Sequence, residues 1–221
     1  MSYFTKDYLD FFKELAANNN KEWFNENKKR YTQNVKEPWE TFIADVIKTV
    51  NKHDKATDIT PKEAIFRINR DIRFSKDKTP YKLSTSAVVS PGGRKDMTAP
   101  GMYIEATPEH FRIYGGVHFC DKHQLESIRN AIVSDPKKLD KLMGDAKFKK
   151  IYGEVLGEKN KVLPKEFKES ADAAPMIWNK QFYWYKDYPA KTITDKDLLK
   201  KVEEAYKAGE KLMMYFREAM N

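Results

Sequence analysis

Between Phe66 and Lys82 the chain sets Arg67, Arg70, Arg73, Lys76, Lys78 and Lys82 against only Asp71 and Asp77. Guanidinium groups are planar, always charged and forked in a way that matches carboxylate and phosphate oxygens, so several in one short loop can converge on one anion. Pro80-Tyr81 stiffens the end of the loop, and the Tyr81 ring is placed to close one side of such a site. Three uses are open to the segment: an internal ion-pair network, a site for an anionic ligand, or catalysis on phosphate esters with Asp71 or Asp77 as general base. Electrostatics oppose the last, because neighbouring guanidinium groups lower a carboxyl pKa and leave a weak base near neutral pH.

If residues 65–74 are extended, Arg67, Asn69, Asp71 and Arg73 share one face while Arg70 falls among Phe66, Ile68, Ile72 and Phe74. An arginine on an apolar face requires a partner, and Asp71 or Asp77 can supply it. The string from Arg67 through Arg70-Asp71, Arg73-Phe74 and Asp77-Lys78 to Tyr81-Lys82 resembles the signature of the domain-of-unknown-function 2461 family. Asn20-Lys21-Glu22-Trp23-Phe24, followed by Lys29-Arg30-Tyr31, is similar to that family's opening, so the resemblance spans nearly the whole chain. It implies an intact fold in a bacterial cytoplasmic protein and carries no catalytic role onto any residue here.

Weaker signals lie further along. His118, Cys120 and His123 crowd three metal-ligand types into six residues, but the paired spacing of a structural zinc site is absent, and no metal set is assigned. Trp178 to Lys186 interleaves aromatic and cationic residues; it reads as a core-covering strand or loop from which Lys180 can reach a bound anion. No Walker, zinc-protease, nucleophile-elbow or calcium-loop motif is present, and the sequence names no cofactor.

The elements that must position these groups follow from hydrophobic periodicity. Tyr8, Leu9, Phe11, Phe12 and Leu15 predict a helix ending at Asn18-Asn19-Asn20; a second carries Trp23, Phe24 and Tyr31; a third starts near Pro38. Thr60-Pro61-Lys62-Glu63 spells a capping box. Strands are predicted from Ile65 to about Asn69, over 83–90, over 101–107 and over 110–118, with Pro108-Glu109 closing a hairpin, and Ser90 to Lys95 forms a basic loop. Helices return at Leu125 and after Pro136, and a final one runs from about Asp195 to Met220. The expected fold is α+β, an antiparallel sheet of about four or more strands packed with N-terminal and C-terminal helices, in a single domain over residues 1–221.

A chain of 221 residues with 40% hydrophobic and 13% aromatic content buries a sizeable core, which excludes intrinsic disorder. Apolar runs are far too short to span a bilayer, no secretory leader is evident, and the lone Cys120 suits a reducing compartment, so the expected location is cytoplasmic and no membrane partner is expected. A net charge of +8 draws polyanions and phosphorylated small molecules. The reading that follows is an anionic small-molecule binder using Arg67, Arg70, Arg73, Lys76, Lys78, Tyr81 and Lys180, with a phosphate-ester enzyme or a nucleic-acid binder as alternatives and the oligomeric state left open.

Overall fold

The computed structural model describes residues 2–96 and 98–220. Its centre is a four-stranded antiparallel sheet in sequential order: β1 (Thr85–Val89), β2 (Gly101–Ala106), β3 (His110–Val117) and β4 (Phe182–Pro189). The β2–β3 hairpin turns through Pro108-Glu109 with Ala106 opposite Phe111, as the turn residues predicted. Alternation along β2 and β3 then sends Met102, Ile104, Phe111 and Ile113 to one face, joined there by Phe182 and Trp184 of β4.

Helices cover that face. The N-terminal group is α1 (Lys6–Ala17), α2 (Lys21–Glu26), α3 (Lys28–Tyr31) and α4 (Glu37–His53). A π-helical stretch, Thr32–Lys36, joins α3 to α4, so the chain does not break between the second and third predicted helices. The widening sits directly before Pro38, whose ring would clash with the carbonyl four residues back in a regular α-helix. The single turn α5 (Pro61–Ala64) precedes the sheet, α6 (Lys122–Ser134), α7 (Pro136–Met143) and α8 (Ala146–Tyr152) lie between β3 and β4, and the long α9 (Leu198–Met220) follows β4.

Leu198, Val202, Ala205, Leu212 and Phe216 form the buried stripe of α9, at helical spacing. Gly209 lets that helix approach the sheet, because a Cβ there would run into the Trp184 indole. None of the described helices is long and apolar enough to cross a membrane.

Asp121 caps α6: its carboxylate accepts from the Gln124 N–H at 2.8 Å while the Gln124 side chain accepts from the Asp121 N–H. Asp121→Ala is therefore expected to cost about 1 kcal/mol of unfolding free energy in a urea titration, with no change in the cleft chemistry described below. An unchanged midpoint would show that the cap is dispensable.

The predicted strand from Ile65 to Asn69 does not form. The segment makes only isolated bridges, Ile65 to Ala87 of β1 and Asn69 to Tyr81. Residues 68–70 and 80–82 face each other through Lys82 N–H to Ile68 C=O and Arg70 N–H to Pro80 C=O, but Pro80 has no N–H to extend the ladder. The result is an irregular hairpin beside β1, with its tip at residues 71–79.

Candidate functional site

The sheet face opposite the helices is partly open. Cross-strand register aligns Tyr103 of β2 with Tyr114 of β3 and Tyr185 of β4, and next to them Glu105 with Arg112 and Asp187. Arg112 is fully engaged, holding Asp187 through two bonds of 2.7 Å and donating to the Tyr114 hydroxyl at 2.9 Å. A cavity of about 470 Å³ opens on this face, among Phe66, Lys82, Tyr103, Glu105, Tyr114 and Tyr183.

A second, larger cavity of about 960 Å³ adjoins it, sharing Phe66 and Lys82. Its wall brings together cations far apart in sequence: Lys36 before α4, Lys62 in α5, Arg67 and Lys82 from the hairpin, and Arg94 from the turn after β1. The capping box orients α5, since Glu63 accepts from the Thr60 N–H at 2.9 Å, and Arg94 Nε donates to the Lys62 carbonyl at 3.3 Å. Against these cations stand Glu40, which lies 3.9 Å from Lys36, and Asp71, which is held by Arg73.

Arg67 and Lys82 are the cations that the hairpin contributes to this wall, and Lys82 lines both cavities. Arg67 is exposed and makes no ion pair or side-chain hydrogen bond among the described residues. Lys82 is half-buried, with its ammonium 5.3 Å from the centre of the Phe66 ring and no carboxylate within ion-pair distance among the described residues. Burial is the main force pushing the Lys82 pKa down, the Arg67 charge adds to it, and Glu105 opposes both.

The family model described as conserved hypothetical protein (DUF2461) matches residues 7–215. The chain belongs to the DUF2461 family. Among curated proteins, no relative matches it.

In this DUF2461 protein the arginine-rich string is the irregular hairpin, and most of its charges are occupied within it. The apolar face expected around Arg70 does not form, since the strand is absent and Phe74 is exposed, but Arg70 is still paired: it donates to Asp77 and to the Thr79 hydroxyl and carbonyl. Arg73 grips Asp71 through Nε at 3.0 Å and a terminal nitrogen at 2.7 Å, and Lys78 donates to the Ile72 carbonyl at 2.9 Å. Lys76 is exposed at the tip, beside the fully exposed Phe74. Tyr81 is buried and stacks on Phe24 with ring centres 4.0 Å apart, its backbone clamped by the Asn19 amide at 2.9 and 3.1 Å. Lys180 lies near Glu158 at 3.8 Å and lines neither cavity. Of the sequence-predicted ligand set, the structure places Arg67 alone in the cleft wall; the hairpin braces itself with the others or turns them to solvent.

Both hairpin carboxylates are held low. The Thr79 N–H and Arg70 keep the Asp77 carboxyl at about 2, and Arg73 lowers that of Asp71. Each is a weak proton acceptor near neutral pH. Cys120 packs against the core, and burial pushes its thiol up to about 11; the His118 ring meets Phe119 and Tyr183 edge-on. The cleft residues outside the sequence-predicted ligand set are Lys62, Lys82, Arg94, Tyr103 and Tyr114, of which Lys82 alone belongs to the cationic stretch between Phe66 and Lys82. The tyrosines occupy the half-exposed phase of two alternating strands, where aromatic residues are common, so the pattern alone does not single them out.

Proposed function

We propose that this protein binds a phosphate- or carboxylate-bearing small molecule in the adjoining cavities, with Arg67 and Lys82 as its anion contacts and Lys62 and Arg94 adding positive field. The observation that carries this reading is the pairing of an unengaged guanidinium with a half-buried ammonium that has no carboxylate partner among the described residues. A charge removed from water without a partner is costly, and a bound anion supplies the missing one. The reading also places the protein in the cytoplasm, where phosphorylated metabolites are abundant; the single cysteine and the lack of a membrane-length helix among the described residues support that location.

Calorimetric titration at low salt with inorganic phosphate, pyrophosphate and citrate tests the proposal. At least one should bind, Arg67→Ala should weaken it by about 10-fold to 100-fold, and Arg73→Ala should leave affinity nearly unchanged because its fork is occupied by Asp71. An Arg73→Ala loss larger than that of Arg67→Ala would move the site to the hairpin tip and overturn this assignment.

A further inference from the structure

The smaller cavity has a shape and chemistry of its own. On the open face, Gly116 stands where β3 would present the next side chain beyond Tyr114, and its partner across the strand pair is Gly101. Each glycine has a local cause. Gly116 adopts φ +108° and a Cβ would strike the Phe182 carbonyl, whereas at Gly101 a Cβ would strike Ser90. Their joint consequence is a floor of bare backbone between Tyr114 and His118, four residues and so about 13 Å apart along the strand.

Aromatic rings wall that floor on both sides. Tyr103 and Tyr114 meet edge to face at 5.6 Å on one side, and Tyr183 and His118 do so at 5.5 Å on the other. Phe66 stands at the mouth, where the basic cavity begins. A flat ring is the group such a slot holds best, since stacking on tyrosine faces asks only for a π-surface. The volume of about 470 Å³ is in the range of small-molecule sites.

Charge fixes the orientation. Glu105 and Ser86 line the slot, and the Tyr103 hydroxyl lies 3.5 Å from the Glu105 carboxylate. A carboxylate repels an anion and accepts hydrogen bonds from ring N–H or amino groups. Arg67 lines only the adjoining basic cavity, and Lys82, its ammonium 5.3 Å from the centre of the Phe66 ring, stands where the two cavities meet, so an anion is welcome at that end.

We infer that the ligand is a nucleotide-class molecule, a phosphate ester carrying a flat heterocycle with N–H donors, whose ring enters the tyrosine slot toward Glu105 while its phosphate meets Arg67 and Lys82. This inference rests on the anion site proposed above and names the ligand class that site would take.

Calorimetry on the full chain at low salt should compare adenosine and guanosine 5′-monophosphate with ribose 5-phosphate and inorganic phosphate. At least one nucleotide should bind 10-fold or more tightly than ribose 5-phosphate. Tyr114→Leu should abolish that difference while leaving phosphate affinity intact, and Tyr183→Leu, on a different strand, gives the same readout should the first variant unfold. Equal affinities for nucleotide, ribose phosphate and phosphate overturn the ring assignment and leave the anion site standing. Failure of all four to bind overturns the anion site as well, and an oligonucleotide that binds more tightly than either mononucleotide replaces the small-molecule ligand with single-stranded nucleic acid.

Discussion

Replacing Arg217 with methionine is expected to lower the unfolding free energy by about 3–5 kcal/mol, the usual consequence of stranding a buried charge. The carboxylate left behind is Asp54, at the end of α4, whose side chain is only 4% exposed and meets the Arg217 guanidinium at 2.8 and 2.9 Å. Thr57 donates its hydroxyl to the same carboxylate at 2.8 Å, and the Ala56 N–H does so at 3.1 Å, which closes the C-terminus of α4 onto α9. Arg217→Met keeps much of the aliphatic stem, so the loss is electrostatic more than steric. Burial pushes the Asp54 carboxyl up, but Arg217 and Thr57 outweigh it and hold the carboxyl below its ordinary value. A depressed carboxyl contributes stability that is present above the unfolded-state pKa of about 3.9 and is lost as pH falls through the folded value. Without Arg217 the balance reverses: burial raises the Asp54 pKa, and the variant's penalty fades as acid protonates it. Denaturant titrations at pH 7 and pH 4 should thus show a smaller gap between wild type and variant at the lower pH. The double change with Asp54→Asn should be less damaging than the sum of its parts. A constant gap across that range would show that Asp54 is not the stranded charge.

The parts of the fold readable in the sequence are those whose pattern is local. Alternation over 101–106 and 110–117 with a Pro-Glu turn between fixes the central hairpin, and the spacing of Leu198, Val202, Ala205 and Leu212 fixes α9. The strand expected at Ile65 failed because alternation reports which side chains are apolar; it says nothing of whether a partner strand can supply hydrogen bonds, and Pro80 cannot. The same limit applies to the site. Charge density pointed to the hairpin, yet Asp71, Asp77, Thr79 and a backbone carbonyl occupy Arg70, Arg73 and Lys78 within that loop. Which cations remain unengaged depends on where the chain folds back. Lys62 and Arg94 reach the cleft from α5 and from the turn after β1, and only tertiary structure brings them to Arg67.

A chain carrying both Arg67→Ala and Lys82→Met should lose about 10²–10⁴-fold in affinity for the phosphate-bearing ligand, because each charge-assisted contact contributes about 1.5–3 kcal/mol. Fold stability should change little, since the Arg67 guanidinium is exposed and makes no ion pair among the described residues, while methionine preserves the Lys82 stem against Phe66. The pH dependence separates this from a diffuse surface effect. Lys82 must be protonated to hold an anion, so affinity is flat below its lowered pKa and falls as pH rises through it, earlier than for an ordinary lysine. Part of that lowering comes from the Arg67 charge. The single variant Arg67→Ala should therefore bind more weakly at neutral pH and also move the alkaline fall to higher pH, the opposite of what general destabilisation would do. Calorimetric affinities measured from pH 7 to pH 10.5 would reveal the displacement, and an alkaline limb that stays in place in Arg67→Ala would break the link between the two cations on which the site is built.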